Sequence, residues 1–262
     1  MEYTYHMHTP RCSHATGTPR EYIENAISSG MTHIGFSDHC PLMFEDGYQT
    51  SWKVPVEEGR DYCLEIAELR REYGEKIDIK IGFEMEYYAD KFEDTFKKVL
   101  DYGAEYLILG QHFCMSEHEH PSYIHSCFET DSVERLKTYA DVICEAMSRG
   151  VYTYVAHPDI FNFTGDEETY VKEMQRICEA SVKYDTPLEL NLLGIREGRH
   201  YPKAIFWKLA GEIGCPVVFG TDSHKAEHAS DPNSAKKAYE LVEKYGLNYI
   251  GRPKIIEIQK LK

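Results

Sequence analysis

Apolar and polar residues along the chain follow two alternating patterns, one typical of strands and one typical of helices. Residues 3–8 show the first, because Tyr3, Tyr5 and Met7 alternate with polar residues and place His6 and His8 on one face. Later short apolar runs end in polar residues, and amphipathic segments separate them. The later predicted strands cover residues 33–39, 77–84, 106–110, 152–156, 188–191 and 217–220.

Amphipathic helices are predicted in the intervals between these strands. Thr18 and Pro19 start the first helix with a capping residue and a proline at the first helical position. Glycines that suit the residue after a helix precede the next strand at Gly30, Gly74, Gly150, Gly214 and Gly246. About seven strand–helix units without a linker or a change in composition predict parallel strands in one α/β barrel domain.

Composition limits the cellular setting of the protein. The 262 residues are 42% hydrophobic, enough for a sizeable core, and no run of roughly 18 apolar residues predicts a membrane span. The chain enters a strand pattern at once, so we expect no secretory signal. Its 8 cysteines are scattered, without a C-x-x-C pair, which predicts reduced thiols, a cytoplasmic location and no structural zinc on cysteine.

Net charge limits the class of partner. A formal charge of −15 disfavours nucleic acid, because binding to a phosphate backbone requires clustered lysine and arginine. A small anionic substrate is not excluded, since bound divalent ions can reverse the sign of a pocket. We therefore expect a small-molecule substrate, with no nucleic acid or membrane partner.

Polar residues with metal-binding side chains gather at the carboxyl ends of the predicted strands, where α/β barrels carry their functional groups. Histidine scattered by chance would occupy both ends of a barrel, so this clustering predicts a metal site. The residues are His6, His8, His39, Glu84, His112, His157, Asn191, Asp222 and His224, with His14 in the loop after strand one. Imidazole and carboxylate ligands favour zinc, iron or manganese, and their number suits two or three ions.

Six short motifs carry a resemblance to a known family. They are His6-Met7-His8, Ser37-Asp38-His39, Gly82-Phe83-Glu84, Gly110-Gln111-His112-Phe113, His157-Pro158 and Gly220-Thr221-Asp222-Ser223-His224. In this order, over the whole chain, they resemble the PHP (polymerase and histidinol phosphatase) family of metal-dependent phosphoesterases. The resemblance implies a distorted (β/α)7 TIM-like barrel, with residues 1–262 as one PHP domain.

The resemblance also implies how the ligands are shared among the ions, which spacing alone does not show. With His14, every metal position expected of a three-metal member is filled. One ion would take His6, His8, Glu84 and Asp222. A second would take Glu84, His112 and His157, and a third His14, His39 and His224.

Within the family, the chain most resembles the monofunctional histidinol-phosphatases. The similarity lies in residues 10–15, 82–87, 110–113 and 189–196. It implies hydrolysis of L-histidinol phosphate to L-histidinol and phosphate, a step of histidine biosynthesis, at a metal centre.

Several residues receive expected roles in that reaction. Glu84, Asp222 and His224 are expected to act in catalysis, and Asn191, Arg196 and Arg199 to contact the substrate. Arg196 is the first candidate for the phosphate clamp, because a guanidinium matches phosphate oxygens with two hydrogen bonds; His200 is a weaker one. The proton donor to the leaving group is left open between a bound water, Asp222 and a histidine of the loop 113–130, which carries His118, His120 and His125.

Other readings of the same residues remain open. The metal centre could serve another small phosphate ester, a phosphotyrosine or a nucleic-acid end, although the net charge disfavours the last. The barrel could be a non-catalytic metal-binding module, which the complete ligand set disfavours. A metal-dependent amidohydrolase would require a lysine between the metals, and no lysine ends a predicted strand.

Overall fold

Parallel strands and helices alternate along the chain and wrap into an α/β barrel, as predicted. The computed structural model describes residues 1–44, 46–116, 118 and 125–261. Its strands form one sheet in the order β1 to β8. They are β1 (Tyr3–Thr4), β2 (His33–His39), β3 (Asp78–Glu84), β4 (Tyr106–Leu109), β5 (Tyr152–Val155), β6 (Leu188–Asn191), β7 (Pro216–Gly220) and β8 (Asn248–Tyr249). The two-residue β8 was not predicted and pairs with the start of β7.

Helices follow the strands and cover the outside of the sheet. They are α1 (Pro19–Ser28), α2 (Gly59–Tyr73), α3 (Phe92–Tyr102), α4 (Val133–Ser148), α5 (Glu167–Tyr184), α6 (Leu192–Glu197), α7 (Ala204–Ile213) and α8 (Pro232–Tyr245). The short α6 directly after β6 was not predicted. Within the part of the chain that the structure describes, no helix has both the length and the apolar character needed to cross a bilayer.

The barrel closes where the N-terminal segment meets the end of β7. Met7 and Ser223 form a parallel bridge. The N–H of His8 donates to Ser223 O at 2.9 Å, and the N–H of Ser223 donates to His6 O at 3.3 Å. Strand one was predicted to reach His8, but regular pairing ends at Thr4. Beyond Thr4 the backbone bonds to two different segments, since Met7 O accepts from the N–H of Ser37 while the N–H of His8 donates to Ser223 O. This closure places His6 and His8 beside the residues that follow β7.

Tyrosines fill the interior of the barrel below the carboxyl ends of the strands. Tyr3, Tyr5, Tyr106 and Tyr154 are buried and pack together with Ile108 and Val218. The hydroxyl of Tyr106 donates to Tyr5 O at 2.9 Å, so its polar group is satisfied inside the core. The open end of the barrel is therefore the carboxyl end, where the polar residues gather.

Two helix caps tie the helices to the residues at that end. The Asn191 side-chain oxygen accepts from the N–H of Gly194 at 3.0 Å and caps α6. Asp231 accepts from the N–H of Ser234 at 3.0 Å and caps α8. Since both residues have other polar contacts near the site, the caps also fix the loops that carry site residues.

Candidate active site

Glu84 lies at the centre of the cluster, at the end of β3. Its Oε1 is 2.9 Å from His157 Nε2 and 3.6 Å from His112 Nε2. Its Oε2 is 3.0 Å from His39 Nδ1 and 3.6 Å from His6 Nε2. The two carboxylate oxygens therefore face different sets of histidines, an arrangement that suits a ligand shared by two ions.

Glycine leaves the space that two buried carboxylates occupy. A Cβ on Gly110 would lie 1.9 Å from Glu84 Oε1. A Cβ on Gly220 would lie 1.7 Å from Glu189 Oε1. Any larger residue at either position would displace the carboxylate, so these two strand ends are shaped around the acidic side chains.

Further carboxylates orient the first two histidines. His6 Nδ1 donates to Glu189 Oε1 at 2.8 Å, and His8 Nδ1 lies 3.4 Å from Asp38 Oδ1. These contacts place the ring proton on Nδ1 and leave the Nε2 lone pair directed into the cluster. Both Nε2 atoms are buried, and neither has a hydrogen-bond partner. An orphaned buried imidazole nitrogen of this kind fits a metal ligand.

Asp222 approaches the same histidines from the loop after β7. Its Oδ1 lies 3.2 Å from His8 Nε2 and 3.3 Å from His224 Nδ1. Its Oδ2 accepts from the Asn191 amide at 3.1 Å. The Asp222 backbone has a φ of 46°, in the left-handed region that residues with a Cβ seldom adopt. The loop is therefore held in an uncommon conformation that aims Oδ1 at the cluster.

His14 and His224 face each other at the outer edge of the cluster. Their Nε2 atoms are 3.0 Å apart. His14 Nδ1 donates to Cys12 O at 2.7 Å, and His224 Nδ1 donates to Asp222 O at 3.3 Å. With both Nδ1 protons engaged, the two Nε2 atoms meet at hydrogen-bonding distance, and either a shared proton or a metal ion would satisfy their lone pairs.

The central carboxyl groups are ionised at neutral pH. Burial alone raises the pKa of Glu84, but the positive charge of His112, His6 and His39 holds that pKa well below its usual range. Burial likewise opposes ionisation of Asp222, and His6 and His8 hold its pKa well below the usual range. The same carboxylates raise the pKa of His6 and His8 against the effect of burial, so the cluster pairs ionised oxygens with rings that favour a positive charge beside them.

The donor set fits a divalent metal ion. Ligand atoms of His6, His8 and Asp222 lie within 4.8 Å of one another, as do those of His6, Glu84 and His157. A further group joins His8, His39 and His224. The Cys12 thiol lies near His14 and His224, but it donates to Thr9 O at 3.1 Å. Every residue predicted as a ligand is thus brought to this end of the barrel.

Arg196 does not reach the cavity, contrary to the prediction of a phosphate clamp. Its Nη1 donates to Asp231 Oδ2 at 2.9 Å and to Thr221 O at 3.4 Å, while Nη2 donates to Asp222 O at 3.4 Å. The unpredicted α6 turns its side chain toward α8. Arg196 therefore braces the loop that carries Asp222.

Asn191 was predicted to contact the substrate, but in the structure it contacts neighbouring protein groups. Its amide nitrogen donates to Glu189 Oε2 at 2.8 Å as well as to Asp222, and its oxygen caps α6. Because these bonds use both ends of a side chain that is 1% exposed, Asn191 positions the carboxylates and does not face a ligand.

A cavity of about 760 Å³ opens above the cluster. Arg199 and Lys225 supply positive charge to its lining, and Glu197 supplies a carboxylate. The Arg199 guanidinium contacts Glu197 Oε2 at 2.7 Å and donates to the Tyr201 hydroxyl at 3.0 Å. Aromatic rings form much of the remaining wall: Trp52, Phe113, Phe128 and Tyr201. The prediction of Arg199 near a substrate is therefore compatible with its position.

The loop histidines divide between two places. His125 lines the cavity, and its Nδ1 accepts from the N–H of Cys127 at 3.1 Å. Burial lowers the pKa of His125 to about 3, so the ring is neutral. His118 stacks on Tyr48 at 3.9 Å between ring centroids, with its Nε2 2.7 Å from Asp46. His120 lies outside the described residues, and His200 donates to Ile160 O at 2.8 Å.

Sequence reasoning missed the carboxylates behind the histidines. Glu189, Asp38 and Glu86 are all buried next to a histidine. Glu189 could have been found, because it shares the inward face of β6 with Asn191 while leucines occupy the alternate positions. Glu86 follows β3 in a segment without periodicity, so nothing in the pattern separated it from a surface acid.

Comparison with known proteins places the chain among phosphoesterases. The family described as PHP domain matches residues 4–192. The histidinol-phosphatase of Bacillus subtilis is 28% identical over 254 residues, covering 84% of this chain and 92% of the relative. A probable histidinol-phosphatase of Deinococcus radiodurans is 26% identical over 225 residues, covering 84% and 85% respectively.

Solved structures show the same fold. The crystal structure of histidinol phosphate phosphatase from Lactococcus lactis, complexed with zinc, L-histidinol and phosphate, has a TM-score of 0.73 to this chain at 21% identity. That alignment covers 100% of this chain and 98% of the crystallised one. With the family match spanning most of its length and the motifs joined at one end of the barrel, the chain belongs to the PHP family.

Proposed function

We propose that this protein is a metal-dependent phosphatase that hydrolyses L-histidinol phosphate to L-histidinol and phosphate. The observation that carries the proposal is the shell of histidine nitrogens around Glu84 and Asp222, several of which are buried without a hydrogen bond. Relatives named histidinol-phosphatase, which align over most of their length, support the substrate.

The metal ligands of the proposal are the predicted ones. His6, His8, Glu84 and Asp222 would hold one ion; Glu84, His112 and His157 a second; and His14, His39 and His224 a third. The proximity of Glu84 Oε1 to His112 and His157, and of Oε2 to His6, supports this division. We propose two or three ions of zinc, iron or manganese, which neutralise charge on phosphate and lower the pKa of water when bound.

The residues around the cavity would bind and orient the ester. Arg199 and Lys225 would donate hydrogen bonds to the phosphate oxygens, and the imidazole ring of the substrate would pack against the aromatic wall. Asp222 Oδ1 would accept a hydrogen bond from the attacking water and orient it, because Asn191 already occupies Oδ2. His224, beside Asp222, would hold that oxygen in place.

We also propose that the PHP domain extends over residues 1–262. The family match ends at residue 192, yet Asp222 and His224 come later and join the same cluster. The bridge between Met7 and Ser223 supports the same extent, because the barrel closes only with β7 in place.

The proposal includes a role in histidine biosynthesis in the cytoplasm. The 8 cysteines all lie in the described part of the chain and form no disulfide there, which is compatible with a reducing compartment.

Phosphate release from L-histidinol phosphate, measured beside a panel of other small phosphate monoesters, tests the proposed function. We expect wild-type protein to prefer histidinol phosphate strongly. His157→Ala should lose this activity, whereas His33→Ala should keep it, because His33 begins β2 at the end away from His39 and the site. Equal or better turnover of another ester would retain the phosphatase and discard this substrate. No turnover of any ester by fully metallated protein would favour a non-catalytic module.

The two arginines after β6 are expected to have opposite effects when changed to methionine. Arg199→Met should raise KM for the ester ten- to a hundredfold, because a charged hydrogen bond contributes about 1.5–3 kcal/mol. Arg196→Met should leave KM unchanged, lower kcat through the Asp222 loop, and lower the free energy of unfolding by about 2 kcal/mol. Steady-state kinetics and urea unfolding measure these effects. A KM change in Arg196→Met would restore it as a phosphate ligand.

The stability effect of Arg196→Met should depend on pH. Burial alone raises the pKa of Asp231, but the Ser234 N–H and the Arg196 guanidinium hold that pKa below its usual value. A carboxyl with a lowered folded pKa stabilises the protein above its unfolded pKa and loses this contribution as the pH falls through the folded value. Wild type and Arg196→Met should therefore differ in unfolding free energy at pH 7 and converge in acid.

A further inference from the structure

Lys53 stands out as a buried positive charge beside the metal ligands. Among the lysines and arginines that the structure describes, it is the one that is buried, with 4% of its surface exposed. Its Nζ forms an ion pair with Glu86 Oε2, and Glu86 is 6% exposed. Burying two charges costs free energy that their attraction often does not offset, so we expect this pair to have a role other than stabilising the fold.

Glu86 connects this ion pair to His112. Its Oε1 accepts from the backbone N–H of His112 at 3.1 Å and lies 3.7 Å from His112 Nδ1. The opposite ring nitrogen, Nε2, lies 3.6 Å from Glu84 Oε1. The imidazole of His112 therefore lies between two carboxylates that face its two ring nitrogens from 3.6 and 3.7 Å, beyond direct hydrogen-bonding distance.

The residues on either side of Lys53 contact the same part of the site. Trp52 meets His39 and His112 with its ring nearly perpendicular to theirs, at centroid distances of 5.2 and 5.5 Å. Lys53 Nζ lies 4.5 Å from the Trp52 ring centroid. The N–H of Val54 donates to His39 O at 3.1 Å. The segment 52–54 thus spans from the end of β2 to the residues after β4.

We propose that Lys53 and Glu86 are positioning residues that orient the His112 imidazole as a metal ligand. The inference rests on the metal centre of the proposed function. A carboxylate on the Nδ1 side favours the tautomer with its proton there, which directs the Nε2 lone pair toward Glu84. Lys53 balances the charge of Glu86, so His112 gains this partner without adding negative charge to a centre that receives a phosphate ester.

The competing explanation is a purely structural link between the segment 52–54 and β3. Replacing both partners of a buried ion pair with apolar residues often leaves stability unchanged or improves it, whereas removing one partner destabilises the fold. A double apolar replacement therefore separates the two roles. If the ion pair only links the two segments, the double replacement should leave both stability and metal binding unchanged. If it positions His112, the loss of the carboxylate should weaken metal binding.

The test compares Lys53→Met/Glu86→Leu with wild type and with Arg176→Met/Glu173→Leu. The control removes another ion pair with a buried carboxylate, 2.8 Å between Arg176 Nη1 and Glu173 Oε2, on α5. Zinc affinity and stoichiometry are measured by chelator competition, and thermal unfolding is measured on metal-free protein. We expect the Lys53/Glu86 variant to melt like wild type when metal-free, yet to bind one zinc ion about 10- to 100-fold more weakly. The control should keep its zinc affinity.

Unchanged zinc affinity and stoichiometry in the Lys53/Glu86 variant would overturn the inference. If that variant does not fold, Glu86→Gln decides, because it keeps the shape and an acceptor for the His112 N–H but removes the charge. Glu86→Gln should also weaken zinc binding, and wild-type affinity in that variant would reject the positioning role. Wild-type protein that binds no zinc, iron or manganese would instead contradict the proposed function.

Discussion

Removal of bound divalent metal is expected to abolish phosphate release and to lower the melting temperature of this protein. Without metal, His6 Nε2, His8 Nε2 and Glu84 Oε2 are buried and have no hydrogen-bond partner. An ion held at a free concentration of 1,000 Kd stabilises the folded state by about 4 kcal/mol. For a domain of this size, that change corresponds to a shift of roughly 10 °C. Calorimetry before and after chelation, with a parallel phosphate assay, measures both effects.

Adding metals back provides the control for this prediction. Zinc, manganese or iron should restore activity and melting temperature, whereas magnesium should restore neither, because histidine nitrogens suit it poorly. Full activity in exhaustively chelated protein, shown to be metal-free by elemental analysis, would contradict the proposed mechanism. Recovery with magnesium alone would contradict the assignment of histidines as the main ligands.

Glu84→Gln is expected to lower kcat by about three orders of magnitude. The glutamine has the same shape, but its amide nitrogen has no lone pair for a metal. Only one of the two sets of histidines would then still have a side-chain oxygen at position 84 beside it. Loss of several kcal/mol of metal-assisted stabilisation of the transition state corresponds to roughly a thousandfold in rate. Single-turnover kinetics together with metal analysis measure the effect on rate and on occupancy.

Glu173→Gln is the matched control, since Glu173 is a buried carboxylate on α5 that pairs with Arg176 away from the cluster. It should keep wild-type kcat and metal content. A Glu84→Gln variant within tenfold of wild-type kcat would show that Glu84 is not a shared ligand. Loss of metal in both variants would point to a general effect on folding.

Much of the site could be predicted because strand periodicity restricts where a side chain points. His6 and His8 are two residues apart in an extended segment, so they share a face whatever surrounds them. Parallel strands then bring their carboxyl ends to one end of the barrel, which places Glu84 and His157 near the first pair. These inferences need only local geometry and the order of the elements.

Residues beyond the strand ends could not be predicted in this way. Arg196 comes soon after β6, and its side chain could have faced the cavity, but α6 turns it to Asp231. Trp52 and Lys53 lie in a long irregular segment, so their contacts with His112 and Glu86 depend on a path that no repeat indicates. The direction of such side chains is set by tertiary contacts between segments far apart in sequence.

The bridge between Met7 and Ser223 has a consequence for the order in which the protein is made. His6 and His8 precede β2 in the chain, whereas Asp222 and His224 come after β7, so the ribosome makes the first pair long before the second. An emerging chain therefore carries exposed imidazoles without the carboxylate and the final strand that complete their surroundings. We therefore expect stable metal capture to come only after β7 has been translated and has joined the N-terminal segment.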